Sequence, residues 1–298
     1  MPVDVSICVV SRRGGNELAR LLDSLARLKL SPATVAEVVV VDTGPAAAGA
    51  DTGARPAQAG ALPIRWHHEP DAARARDRCA HVARGRWAAF IEEDEVAHED
   101  WIAAYVRMAD EVDADGFFGP VLPRCAAGAA GALDVEGFYA AGSRPPGATF
   151  AVAGAYTANA FVRRSLLLSV PFDPGYARPR GAAADCVELA LRRGDRFYWC
   201  DHAHVYEAVP LEQHRLGQLT LRALEGAAAW SHLPLAKSQR STARQLAAAI
   251  VRIATGCARL AVACLRGRRA AFRAWLDLWV RIGRLYGLLG GRVEGSGR

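Results

Sequence analysis

The sequence predicts an α/β protein built on a parallel, doubly wound sheet, and three observations lead there. Four short apolar runs alternate with segments of helical spacing between residues 3 and 91, the order that gives strand–helix–strand units with right-handed crossovers. The second run, Glu37–Val41, is Val-rich and nearly continuous, as in a strand covered on both faces. Three of the runs end in polar residues, at Ser11-Arg12, at Asp42 and at Glu92-Glu93-Asp94. In open sheets of this kind ligands bind beyond the carboxyl ends of the strands, so the three ends are expected to converge on one rim.

The elements follow in order. Residues 3–10 carry Val3, Val5, Ile7, Val9 and Val10 and read as a buried strand. A Gly14-Gly15-Asn16 turn follows, with Asn16 expected as N-cap, before Leu18, Leu21, Leu22, Leu25 and Leu28 recur at helical spacing. Glu37–Val41 is the second strand, closed by Asp42-Thr43-Gly44-Pro45, and a Gly/Ala/Pro-rich loop runs on to about Ala61. Ile64–His67 is the third strand, residues 72–84 a helix, and Trp87–Ile91 the fourth strand. His98–Val112 reads as a helix with Trp101, Ile102, Tyr105 and Met108 inward. Phe117–Val121 resumes as strand, and residues 125–149 form a long Gly/Ala/Pro-rich loop. Thr157–Leu168 mixes a strand end with a short helix, Asp185–Arg193 is helical, and Phe197–Tyr206 is again strand.

The segment Glu92-Glu93-Asp94-Glu95 is the least explicable by folding alone. Each neighbouring pair of such carboxylates repels by ~0.5–1 kcal/mol at a surface. A divalent cation carrying phosphate oxygens relieves that repulsion; an acidic loop leading into the next helix is the plainer reading. Composition narrows the classes. Of the net charge of +6, residues 237–298 carry +11 and residues 1–236 carry −5. An acidic body with a basic tail is unlike a uniformly basic nucleic-acid binder, so nucleic acid is not an expected partner. The seven cysteines are scattered without a CxxC pair, which fits a reducing compartment better than a disulfide framework or zinc site. No charged and apolar leader pattern opens the chain, and no internal repeat is visible. A dinucleotide-dependent oxidoreductase is disfavoured, because no G-x-G-x-x-G follows the first strand.

Read together, Val5–Arg13, Val39–Gly44, Ala75-Arg76-Asp77, Ala89–Glu95, Gly119–Pro123, Thr157–Ala160 and Asp185–Leu189 resemble, in order and spacing over about residues 3–230, the family 2 inverting glycosyltransferases of the GT-A fold. The branch they look most like builds bacterial exopolysaccharides such as succinoglycan. The resemblance implies a mostly parallel doubly wound GT-A sheet with a C-terminal helical appendage. It also implies transfer of a sugar from a nucleotide-diphosphate donor, UDP-linked by expectation, to a lipid-linked or polysaccharide hydroxyl, with Mn²⁺ or Mg²⁺ as cofactor. Asp94, then Glu92, would hold the metal in the place of the family's Asp-x-Asp motif. Ser11, Arg12, Asp42, Arg76, Asp77 and Glu93 would face the nucleotide sugar, and Asp185 would be the base that deprotonates the acceptor. Trp101, Asn159 and Glu188 would touch the acceptor.

Each role has a plainer rival. Asp42 also reads as an Asx-turn residue shaping Thr43-Gly44, Arg76 as a solvated helix-face charge, and Asp185 as an N-cap. Trp101, Trp199 and Tyr206 either stack on sugar rings or fill the core. His202 and His204 share a strand face but lack a third metal ligand. Three departures from the family pattern bear on activity: Glu92 for the first aspartate, Asp77 for asparagine, and Ala182-Ala183-Ala184 before Asp185 where Gly-Glu is usual. They support the alternative of a non-catalytic glycan-binding or assembly subunit that retains the fold.

The expected domains are 1–235, with a nucleotide-binding half (1–97) and an acceptor half (98–235), and a basic amphipathic helical segment, 236–298. Spanning by residues 246–265 is disfavoured, since Arg252 and Arg259 would cost ~2.5–3.5 kcal/mol each in the bilayer. In 269–289, Phe272, Trp275, Trp279, Ile282, Tyr286 and Leu289 recur on one side and Arg273, Asp277, Arg281 and Arg284 on the other. Such a helix either lies in the plane of an anionic membrane surface or packs on the catalytic domain or in a homo-oligomer. The first reading places the protein in the cytoplasm, peripheral on the inner face of the cell membrane.

Overall fold

The computed structural model describes residues 3–12, 14–44, 56–72, 74–125, 158–170, 172, 190, 193–231 and 242–289. The loop read over residues 125–149 and the helix over 185–193 lie almost wholly outside this set. The strands are β1 (Val5–Ser11), β2 (Ala36–Asp42), β3 (Gln58–Ala59), β4 (Leu62–His68), β5 (Trp87–Glu92), β6 (Glu95–Ala97), β7 (Gly116–Phe118), β8 (Val121–Cys125), β9 (Asn159–Arg163), β10 (Phe197–Trp199) and β11 (Val205–Val209). The helices are α1 (Gly15–Leu25), α2 (Ala75–Val82), α3 (Trp101–Glu111), α4 (Arg164–Ser169), α5 (Leu216–Ser231), α6 (Thr242–Leu265) and α7 (Arg268–Leu288).

Eight strands form one sheet in the order β10–β7–β9–β5–β1–β2–β4–β3. Its centre is parallel, β5–β1–β2–β4, as the Val-rich runs predict. The sheet is mixed overall, because β9 enters antiparallel to both β5 and β7. Alternation along β1 separates the two covers. Val5, Ile7 and Val9 join Val38 and Val40 in a core completed by Leu18, Leu21 and Leu25 of α1 and by Trp101, Ile102 and Tyr105 of α3. Cys8 faces the other way, and on that side α2 buries Ala75, Cys79 and Ala80. Each of the fully buried large side chains contributes ~1.5–3 kcal/mol. Phe161 of β9 is stacked between Trp87 and Tyr105, at centroid distances of 4.7 and 4.9 Å, which ties the antiparallel insertion into the core.

Asn16 is not the N-cap of α1. The helix starts at Gly15, and Gly14 occupies the cap position at φ 60° without a side-chain cap bond. Two consecutive glycines at φ 60° and 68° form a turn that side-chain-bearing residues adopt only under strain. At the opposite, amino-terminal end of the sheet, Glu37 is sealed beneath the chain. It accepts from Ser6 Oγ (2.7 Å), Arg84 N (2.9 Å) and Arg65 Nη1 (3.2 Å). That end is closed by internal polar pairing.

A second, three-stranded sheet has the order β6–β11–β8, with Glu207 of β11 opposite Glu95 of β6. The chain divides into two compact units, one of residues 1–123 and 140–208, the other of 124–139 and 209–298. The division thus falls before α5, a helix that the sequence reading includes in residues 1–235. Within the second unit Phe272 and Leu276 of α7 pack with Leu219 and Ala223 of α5 and with Val209, and Trp275 and Trp279 lie against that cluster. Trp275 Nε1 donates to Thr220 Oγ1 at 2.9 Å. Phe272, Trp275 and Trp279 of the stripe on α7 therefore pack against the α5 cluster, while Tyr286 and Leu289 of the same stripe are exposed.

Candidate active site

The polar strand ends do converge. Pairing places Glu92 opposite Val10 and Asp42 opposite Ser11, so the carboxyl ends of β5, β1 and β2 adjoin, with Ser11 and Asp42 directed to one face and Glu92, one residue earlier in register, to the other. With neighbouring strands ~4.8 Å apart, the three span about 10 Å of one rim.

Glu93 organises that rim from below. Its carboxylate is buried and Oε2 accepts from Ser11 Oγ (2.9 Å), Arg12 N (3.1 Å) and Gly14 N (3.3 Å). A carboxylate from the acidic turn thereby holds the β1–α1 loop at the positive end of α1. Ser11 and Glu93, both expected to face the nucleotide sugar, are bonded to each other. Asp42 Oδ1 accepts from Gly44 N at 2.9 Å; the Asx turn is present, on the same rim, and Thr43 N donates to Ser11 O at 2.8 Å. Arg76 is not a solvated helix-face charge. It is buried and its Nη2 meets Glu92 Oε1 at 3.0 Å, so Glu92 is held by an internal cation.

Asp77 points elsewhere, accepting from Phe172 N at 3.0 Å through a half-buried carboxylate whose pKa burial raises. Trp101 and Asn159 are core residues, at 0 and 1% exposure. Asn159 Oδ1 accepts from Trp101 Nε1 (2.8 Å) and Tyr105 OH (2.7 Å), while Nδ2 donates to Pro120 O (3.0 Å) and Ala203 O (2.7 Å). Gly119 packs so tightly on this knot that a Cβ there would lie 2.4 Å from Ala203 O and 2.8 Å from Tyr105 OH. The Trp101 and Asn159 side chains are thus both bonded inside the protein. Trp199, likewise buried, is no sugar platform. His202 and His204 lie in the turn between β10 and β11, not on a strand; His204 meets His98 edge-on at 5.9 Å, and burial lowers its pKa. Asp185 and Glu188 lie outside the described residues.

Two carboxylates absent from the expected set join the acidic turn. Glu95 is buried, accepts from Glu92 N at 2.9 Å, and burial pushes its carboxyl well above the usual range. Glu207 faces it across the β6–β11 pair. Asp94 reaches solvent, but the chain around it thins its hydration, and Glu207 and Glu92 add negative charge; together these push its pKa to about 6. Among the described residues no three His, Cys, Asp or Glu side chains converge as a ready cation cage. The donor set fits a hard cation held between one or two carboxylates and substrate phosphates, the usual way Mg²⁺ is bound. Asp94 could supply such a ligand, whereas Glu92 already pairs with Arg76.

A pH dependence follows. The folded protein holds the Asp94 proton more tightly than an unfolded chain, whose aspartate titrates near 3.8. The stability this gives is complete below the lower value and is lost as pH rises through about 6. Cation binding needs the ionised form, so Mn²⁺ affinity measured calorimetrically with UDP present should fall about tenfold per pH unit below that point. A flat profile between pH ~5 and ~7.5 would remove Asp94 as a ligand.

The model of a family described as "Glycosyl transferase family 2" matches residues 6–167. The succinoglycan biosynthesis protein ExoM of Rhizobium meliloti strain 1021 is 27% identical over 295 residues, covering 97% of this chain and 93% of that protein. Among solved structures, the mannosyltransferase PcManGT of Pyrobaculum calidifontis with GDP-Man and Mn²⁺ superposes with a TM-score of 0.58 at 16% identity, over 97% of this chain and 90% of that one. Residues 1–349 of S. aureus TarS with UDP-GlcNAc give 0.53 at 14% identity, over 97 and 93%. A longer TarS chain is covered over 42% of its length. At these identities the structures establish a shared GT-A fold.

Proposed function

The chain belongs to glycosyl transferase family 2 and is a transferase of the GT-A fold, and from that membership we propose the finer reaction. It moves a sugar from a nucleotide-diphosphate donor, UDP-linked, to a hydroxyl of a lipid-linked or polysaccharide acceptor, with inversion and with Mn²⁺ or Mg²⁺. The observation that carries this reading is the convergence of Asp42, Ser11-Arg12 and the acidic turn on one rim of the sheet. Asp42 and Arg12 flank the place for the nucleotide, and Asp94 holds the cation against the diphosphate. When bound, that cation supplies Lewis-acid stabilisation of the leaving group. The Arg76–Glu92 pair keeps the adjoining turn in place, and Asp185 takes the acceptor proton. The relative in succinoglycan biosynthesis supports a glycan acceptor. Six free cysteines among the described residues and the basic tail support a cytoplasmic enzyme peripheral on an anionic membrane.

The internal pairing of Glu92 with Arg76 favours, as a second reading, a non-catalytic subunit that keeps the fold. UDP titration separates the two: an enzyme binds UDP more tightly with Mn²⁺ present, whereas a relic site shows no such enhancement. In the same protein, Asp185→Asn should lower kcat by about 10²–10⁴-fold with little change in donor affinity. Equal losses in both would assign Asp185 to a structural cap.

A further inference from the structure

We propose that α6 is the membrane-docking element, lying in the plane of an anionic bilayer with its outward face among the acyl chains. This makes specific the membrane-surface part of the reading above, and it rests on the helix itself. At 3.6 residues per turn, Ile250, Val251, Ala254, Ala258, Val262 and Leu265 share one arc, and all are exposed. Ile250 and Val251 are each 61% exposed and Leu265 is 89% exposed, unusual for large aliphatic side chains at the surface of a protein with an ample core.

The opposite arc is already used. Ala249, Gly256 and Ala263, seven residues apart, are the buried positions among the described side chains of α6, and a Cβ at Gly256 would sit 3.1 Å from Leu278 Cδ1 of α7. Arg281 of α7 donates to Arg252 O at 2.9 Å. The small-residue seam therefore faces protein and the aliphatic arc faces outward.

Charge identifies the occupant. Residues 242–265 contain no Asp or Glu. Arg252 and Arg259, with Arg266 just beyond the helix, recur every seven residues along one flank of the aliphatic arc, and all three are exposed. An apolar face bordered by arginines suits acyl chains beneath anionic headgroups, with the guanidinium groups reaching the phosphates. The helix is also long and apolar enough to cross a membrane by length and composition. Crossing would sink Arg252 and Arg259 into hydrocarbon and break the seam with α7; lying flat preserves both, and its 24 residues cover about 36 Å of surface.

The test uses the full-length protein and needs no donor or acceptor. Wild type should float with vesicles of phosphatidylglycerol and phosphatidylcholine, bind far less to phosphatidylcholine alone, and weaken as salt is raised. Ile250→Glu with Leu265→Glu should lower partitioning on the order of 100-fold, with an unchanged melting temperature and unchanged UDP binding. Arg259→Ala should weaken binding while reducing its salt dependence. Vesicle binding unaffected by the double substitution would overturn the proposal. So would a wild type that ignores anionic vesicles, or a dimer in sedimentation equilibrium that the same substitutions dissociate. Sugar transfer could fail while docking survives, so the two readings fail separately.

Discussion

Replacing Asp94 by Asn should reduce sugar transfer by on the order of 10³-fold and at the same time raise the melting temperature of the cation-free protein. The two effects have one origin. Asp94 stands in thinned hydration beside Glu92 and Glu207, and its pKa is pushed to about 6. At neutral pH its charge is therefore a liability to the fold unless a cation is present. Asparagine keeps the shape, removes the repulsion and removes the ligand. Calorimetric melting with and without Mn²⁺, beside a donor-turnover assay, reads both. Wild type should gain stability from Mn²⁺ with UDP through mass action; the variant should gain none. A variant that turns over normally, or that melts lower than wild type, would return the acidic turn to an ordinary loop.

The second large effect is expected at Asn159 and is a loss of stability. Its amide holds four partners from three places in the chain: Trp101 and Tyr105 of α3, Pro120 before β8, and Ala203 before β11. Asn159→Ala leaves Trp101 Nε1 and Ala203 O without their partner, whereas Tyr105 OH keeps the carbonyl of residue 159 at 3.2 Å and Pro120 O keeps Val205 N at 3.2 Å. At ~1–3 kcal/mol for each of the two unsatisfied groups, the cost should reach ~2–6 kcal/mol. That is a large share of the ~5–15 kcal/mol a domain usually has. Urea denaturation measures it directly. A loss below ~1 kcal/mol, or a selective rise in acceptor KM with unchanged stability, would restore Asn159 to the acceptor site.

The parallel centre of the sheet was legible because β1 and β2 say the same thing twice: Val-rich runs for double burial, then polar residues at one end. Ser11 and Asp42 are neighbours for that reason alone. What those side chains do once there was not legible. A buried pair such as Arg76 and Glu92, sixteen residues apart, has the same spelling as two solvated charges. Glu207 shows no signal until β11 is paired with β6. Helical spacing already marks Trp101 as inward, whereas nothing periodic marks Asn159, buried where α3 meets the loops before β8 and β11. The tail left two readings open for a related reason: an apolar stripe on α7 is written identically whether it meets lipid or α5. Only the small residues at 249, 256 and 263 hinted that α6 keeps one narrow seam for protein.

The Arg76–Glu92 contact has a consequence for how this site could change over time. A Glu92→Asp exchange toward the usual family spelling would withdraw the carboxylate by about 1.5 Å from a guanidinium now 3.0 Å away. Arg76 would be left buried with a weakened counter-ion, so the exchange is harmful unless position 76 moves with it. The two sites are epistatic, and a lineage carrying this pair is shut off from the common motif by single steps.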